Sequence, residues 1–160
     1  MISLIRVDNR LIHGQVVSTW IPYLRADQVV VADDEAASSP LMRAAMSLAL
    51  PHDVNAAILR MDEVDWAGLS AGPRRVLVLV RDVAQAAAAV KAGADVKHLN
   101  LGNVHYVEGR KPVSPSVFLS RSELDLLEEL AGGGVEVEAR AVPTDRAASL
   151  PEIEARMGAR

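Results

Sequence analysis

Short runs of branched apolar residues alternate along this chain with longer segments whose apolar positions recur every three or four residues. These are the periods of buried strands and of helices packed on one face. Ile2, Leu4, Ile5 and Val7 form the first run, and Val16, Val17, Trp20, Ile21 and Leu24 mark the buried face of a helix over 14–24. The pattern then repeats, with strands over 28–32, 54–59 and 75–80, helices over 40–50 and 83–92, and a short helix over 61–69. Gly93 stands where the alanine-rich helix should stop. Beyond it 98–101 reads as a strand, a polar loop carries Glu108-Gly109-Arg110-Lys111, and 116–119 reads as a short edge-like strand. Ser120 or Ser122 can cap a helix over 123–130, Ser120 lying three residues before Glu123 as a capping box requires. Gly132-Gly133-Gly134 ends that helix, 135–142 alternates like a strand, and 145–157 closes the chain as a weak helix. Strands alternating with helices imply right-handed crossovers. The expected fold is therefore α/β: a single domain over 1–160 with an open, mostly parallel twisted sheet, helices on both faces and an antiparallel edge strand.

Composition narrows the classes of function. The chain has 160 residues, half of them hydrophobic but only 3% aromatic, so its core must be built from Ala, Val, Leu and Ile. A net charge of -4 argues against a nucleic-acid partner, because binding to a phosphate backbone needs a basic surface. The absence of cysteine excludes disulfides, thiol nucleophiles and thiolate metal sites. No stretch approaches the ~18 uninterrupted apolar residues of a membrane span, and the N-terminus lacks the charged, apolar and cleavage regions of a secretion signal. The expectation is a cytoplasmic protein without direct membrane insertion.

The candidate chemistry is concentrated in Arg6-Val7-Asp8-Asn9-Arg10-Leu11-Ile12-His13-Gly14-Gln15-Val16, where the first strand gives way to the first helix. In open α/β sheets ligands bind outside the carboxyl ends of the strands, and a helix N-terminus there offers unpaired N–H groups to an anion. His13 is the candidate nucleophile, since an ordinary imidazole, with a pKa of about 6.5, is largely neutral at cell pH. A phosphoryl group on it would meet the N–H groups of Gly14 and Gln15, with Arg10 three residues earlier and Arg6 at the strand end. Guanidinium suits phosphate oxygens because its planar fork matches them. Asp8 either hydrogen-bonds an imidazole N–H or holds an arginine in place.

This segment, continued through Val17-Ser18-Thr19-Trp20, resembles the active-site segment of IIB components of the mannose/fructose/sorbose family of the bacterial sugar phosphotransferase system. Val29-Val30-Val31-Ala32-Asp33-Asp34-Glu35-Ala36-Ala37 resembles the family's second strand and acidic exit loop. Val96-Lys97-His98-Leu99-Asn100-Leu101-Gly102-Asn103 resembles its later strand and glycine turn, and the segment from Gly134 to Asp145 its terminal strand. The similarity runs from Ile2 to about Asp145, and it departs from the family at Gly102-Asn103-Val104-His105, where two glycines and a hydrophobic residue are usual.

The resemblance implies a phosphocarrier enzyme that accepts a phosphoryl group from a phosphohistidine IIA protein onto Nδ1 of His13. It then passes the group to a sugar during uptake through IIC and IID membrane components, which would hold it at the inner membrane only through partners. No metal and no organic cofactor enters that scheme. The alternative is a regulatory phospho-acceptor of an incomplete phosphotransferase system, signalling to another protein without transporting sugar. A hydrolase or phosphatase ranks last, for want of a serine elbow, a metal cluster or a second catalytic group.

Other residues carry narrower expectations. Asp33, Asp34 and Glu35 follow a buried strand; a magnesium site or acid–base pair is conceivable there, but solvated loop charges are commoner. Asp33 is expected to position a first-loop arginine or the nucleophile. Gly102 reads first as a turn tolerating positive φ and second as a close backbone approach to the phosphoryl group. His105 is a candidate contact in the same cleft, whereas His52 and His98 show no metal-ligand spacing with it or with His13. Trp20 and Trp66 read as packing residues.

Overall fold

The valines and leucines of the central strands are shielded from water on both sides, as a parallel sheet covered by helices requires. A computed structural model describes residues 1–158; residues 159–160 of the expected 1–160 span lie outside the described residues. Strands β1 (Ile2–Asp8), β2 (Gln28–Ala32), β3 (Asn55–Leu59), β4 (Val76–Val80), β5 (His98–Asn103), β8 (Glu136–Ala139) and β9 (Ala148–Ser149) form one sheet. Their order is β3-β2-β4-β1-β5-β8-β9, and every pairing is parallel except β8 with β9. The mostly parallel sheet and its antiparallel edge are thus both present.

The edge strand is not the segment expected. Residues 116–119 leave the main sheet, and β7 (Val117–Leu119) pairs antiparallel with β6 (Lys111–Ser114) in a separate ribbon. The antiparallel edge, β9, falls inside the expected closing helix over 145–157, of which 145–147 are irregular and α7 (Leu150–Met157) alone is helical. The acidic exit loop also differs, because Asp33 caps a short helix, α2 (Asp34–Ser38), by accepting from the N–H of Ala36.

Helices divide between the two faces. On one lie α4 (Trp66–Ala71), α5 (Val83–Lys91), α6 (Arg121–Gly132) and α7, packed through Trp66, Ala86, Ala89, Leu124, Leu127 and Ile153. Ser120 caps α6 in a complete capping box with Glu123. On the other lie the helix after β1, α2 and α3 (Pro40–Ala49), packed through Leu11, Val16, Trp20, Ile21, Ala36 and Met46. The helix after β1 begins at Gly14, passes through a π-helical stretch, Val16–Trp20, and ends as α1 (Ile21–Leu24). Pro22 has no N–H for the carbonyl four residues back, and Ile21 bonds instead to the Val16 carbonyl. Among the described residues no helix is long and apolar enough to cross a membrane.

Two features of this topology place the site. The chain leaves β1 toward β2 but leaves the neighbouring β5 toward β8, on the opposite side, so a crevice opens at their carboxyl ends. Along β1, Ile5 and Val7 enter one core while Leu4 enters the other. Period-two alternation then puts Arg6 and Asp8 on the face covered by the Trp20 helix.

Candidate functional site

The loop from β1 to the first helix is pinned at both its backbone and its side chains. Leu11 adopts φ 59°, a left-handed conformation that costs a non-glycine residue roughly 1–2 kcal/mol, and its N–H bonds the Asp8 carbonyl at 2.9 Å. Burial of Leu11 and Ile12 in the core beneath offsets that strain and fixes where Asp8, Arg10 and His13 emerge.

Asp8 is the hub of this loop. Its carboxylate is wholly buried and accepts from Arg6 Nη2 at 3.0 Å, from the Arg10 backbone N–H at 3.0 Å, from Arg10 Nε and Nη2 at 3.1 and 3.2 Å, and from His13 Nε2 at 2.8 Å. Burial pushes this carboxyl up, but the bonds from His13 and Arg10 and the charge of Arg6 more than reverse it, leaving a pKa of about 2. Asp8 is therefore ionised and can only accept, so the proton of the His13 ring lies on Nε2 and the lone pair on Nδ1. Nδ1 has no protein partner among the described residues, and the His13 side chain is 18% exposed. Both alternatives for Asp8 thus hold at once: it binds the imidazole and the arginines.

Arg10 grips Asp8 with Nε and Nη2, leaving Nη1 without a hydrogen bond among the described residues on a side chain that is 41% exposed. Its Nη2 also lies 3.4 Å from Gln15 Oε1. The first helix supplies the N–H groups of Gly14 and Gln15, which precede any intrahelical partner.

Residues 2–158 match the family model described as the sorbose-subfamily IIB component of the phosphotransferase system. The chain belongs to this family of IIB components. It is 31% identical over 150 residues to the N-acetylgalactosamine-specific phosphotransferase enzyme IIB component 2 of Escherichia coli, covering 93% of this chain and 96% of that one. The crystal structure of manxB from Thermoanaerobacter tengcongensis superposes with a TM-score of 0.87 at 28% identity, covering 96% of this chain and 94% of that one. That of the N-acetylgalactosamine-specific IIB component 1 of Escherichia coli gives 0.86 at 29% identity, covering 93% and 99%. A IIB component is a phosphocarrier of sugar uptake, a phosphotransferase working with IIA and with IIC and IID components. The relatives' names as phosphotransferase enzymes do not favour the regulatory alternative.

Three expected site residues of this IIB component, Arg6, Gly102 and Asp33, have other partners than the sequence suggested. Arg6 presents nothing to solvent at the end of β1; its guanidinium is fully buried between the sheet and the first helix, bonded to Asp8 and, at 2.6 Å, to Asn100 Oδ1. Gly102 lies in β5 without positive φ, opposite a register shift between Val7 and Asp8, and what its missing side chain admits is the Arg6 guanidinium. Asp33 holds neither a first-loop arginine nor His13. Its partner is Arg81, just past β4, bound through Nε at 3.0 Å and Nη2 at 2.7 Å, with Gln85 Nε2 at 2.9 Å. Burial raises the Asp33 carboxyl, but the Arg81 and Gln85 bonds bring it below its ordinary value. Arg81 Nη1 reaches the Asn9 carbonyl at 3.4 Å, so Asp33 serves the loop at one remove. His105 is exposed, and among the described residues no contact joins it to His13.

Sequence reasoning missed Asn100 and Arg81. Asn100 stands between Leu99 and Leu101 in a buried strand, a polar residue where only a partnered one is tolerated, and that was the available signal. Arg81 leaves a central strand at the same carboxyl edge as His13.

The low pKa of Asp8 has a consequence for folding. A carboxyl depressed from 3.8 to about 2 stabilises the folded state above its unfolded value, and this stabilisation, about 2 kcal/mol, is lost as pH falls from ~4 through the folded value. Urea unfolding of wild type and Asp8→Asn should therefore show a stability gap at pH 6 that narrows markedly by pH 2.5. A gap independent of pH would contradict the assignment.

Proposed function

We propose that His13 is the residue on which this IIB component carries its phosphoryl group, and that Nδ1 is the atom. The observation that supports this reading is the 2.8 Å contact of Nε2 with an ionised, buried Asp8, which leaves the Nδ1 lone pair free. In the first transfer that pair attacks the phosphorus of a phosphohistidine on IIA. The new N–P bond forms as the old one breaks, and its electron pair returns to the IIA ring. Positive charge develops on the His13 imidazole as it bonds, and Asp8 stabilises it through Nε2–H. In the second transfer a sugar hydroxyl attacks the phosphorus, the N–P pair returns to Nδ1, and the hydroxyl proton passes to solvent water.

Arg10 Nη1 and the N–H groups of Gly14 and Gln15 are the donors left to meet the phosphoryl oxygens. No step in this scheme calls for a metal or an organic cofactor. The reading places the protein in the cytoplasm, held at the membrane by IIC and IID rather than by any segment of its own. Its donor is a IIA protein and its acceptor a sugar presented by those membrane components.

Intact-mass measurement under alkaline conditions, after incubation with phosphoenolpyruvate and the phosphotransferase proteins that charge a IIA, tests this reading. One added phosphoryl group is expected; no addition with a IIA active on this chain's own system contradicts it. Arg10→Gln should label more nearly normally but deliver the group to sugar roughly a hundredfold more slowly, because a preorganised donor to the transferring oxygens is lost. Single-turnover chase of the labelled variant with sugar and membrane components checks this, and a wild-type chase would contradict it.

A further inference from the structure

Arg6 is an expensive residue to keep where it is. Its guanidinium has no exposure to solvent, and its Nε is buried without a hydrogen-bond partner among the described residues. Burial lowers its pKa, while Asp8 beside it opposes that shift. Its partners hold that charge in place: Nη2 donates to Asp8 Oδ2 at 3.0 Å, and Nη1 donates to Asn100 Oδ1 at 2.6 Å and to the Arg140 carbonyl at 3.4 Å. Asn100 is itself held by its amide nitrogen, which donates to Glu138 Oε1 and to the Arg140 carbonyl.

Two residues that form no hydrogen bond to Arg6 define the slot around it. A Cβ at position 102 would lie 2.0 Å from Arg6 Cζ and 2.2 Å from each Nη, nearly equidistant and therefore over the face of the guanidinium. The Trp20 ring centroid lies 5.0 Å from Arg6 Cζ, within cation–π range, and the buried Trp20 is fixed by its Nε1–H to the Ala141 carbonyl at 3.0 Å.

We propose that Gly102 and Trp20 are positioning residues for phosphoryl transfer: together they hold the Arg6 plane so that Asp8 presents Oδ2 to His13 Nε2 and leaves Nδ1 nucleophilic. Oδ2 accepts from Arg6, from His13 and from Arg10 Nη2, so a displaced Arg6 removes the inner anchor of that oxygen and lets the carboxylate that sets the imidazole tautomer shift toward Arg10. A methyl at position 102 pushes the guanidinium back by ~1 Å or more, enough to break a 3.0 Å hydrogen bond. The aromatic wall denies it an easy alternative seat. The departure of residues 103–105 from the usual family pattern leaves this function of Gly102 intact, because the constraint lies inside the sheet and not in the loop.

The proposal rests on His13 being the phosphoryl acceptor, and two readouts separate the claims. Long-range 1H–15N spectra of the imidazole at pH 8.5 report the tautomer without any partner protein. Wild type should show the proton on Nε2, whereas Gly102→Ala should show a mixture and label from IIA roughly tenfold to a hundredfold more slowly. In an Arg6→Leu background, which removes the guanidinium, adding Gly102→Ala should change the labelling rate less than twofold, as expected when both changes act through one group. Trp20→Phe, which keeps a ring beside Arg6, should retain the wild-type tautomer, and Trp20→Leu should lose it; this pair decides the matter if Gly102→Ala does not fold. A wild-type tautomer in Gly102→Ala and Trp20→Leu, or additive effects of Gly102→Ala and Arg6→Leu, would overturn the proposal. Failure of wild type to label would overturn the His13 reading and leave the tautomer result standing.

Discussion

Asp8→Asn should lower the rate of phosphorylation by IIA at least roughly a hundredfold and cost about 3 kcal/mol of folding stability at neutral pH. The two losses share a cause. The carboxylate accepts from two arginines and a histidine with no exposure to solvent, and Arg6 on its inner side has no water to turn to. An amide of the same shape removes the charge that compensates Arg6. It also lets its own N–H face Nε2, favouring the imidazole tautomer with the proton on Nδ1, where it blocks the lone pair needed for attack. Initial labelling rates and urea unfolding, measured on the same preparation, check both halves. A variant labelled within a few-fold of wild type would mean that the histidine orients without Asp8.

His13→Ala should abolish labelling altogether while leaving the fold nearly as stable as wild type. The side chain is partly exposed and, among the described residues, its one hydrogen-bond partner is Asp8, so its removal leaves Asp8 with four donors from the two arginines. The unfolding midpoint should therefore stay close to that of wild type, and any loss of label is chemical, not structural. His52, His98 and His105 are all exposed, and label retained in the alanine variant would move the acceptor to one of them.

What could be read from the sequence is what is local. Asp8, Arg10 and His13 fall within one loop, so strand-to-helix patterning and the chemistry of the side chains suffice to group them. The direction of Arg6 is half legible: alternation along β1 sets it on the face of Leu4 and Asp8, but only the packed structure shows that the Trp20 helix seals that face. Gly102 reads as a turn because glycines commonly make turns. Its actual constraint comes from Arg6, on a neighbouring strand distant in sequence, which no local pattern encodes. Arg81 pairs with Asp33 across a similar gap. Among the elements, α2 is too short to show a helical period, and β9, with two residues, shows none of its own. Residues 116–119 have a strand's composition, but their partner is the ribbon strand β6, which begins at Lys111 in what reads as a polar loop.

The account turns on one atom, and NMR of the 15N-labelled, phosphorylated protein at alkaline pH tests it most directly. Phosphorus coupling to Nδ1 of His13, with Nε2 still protonated and bonded to Asp8, is the predicted result. Coupling to Nε2, or a phosphoryl group on any other residue, would contradict it.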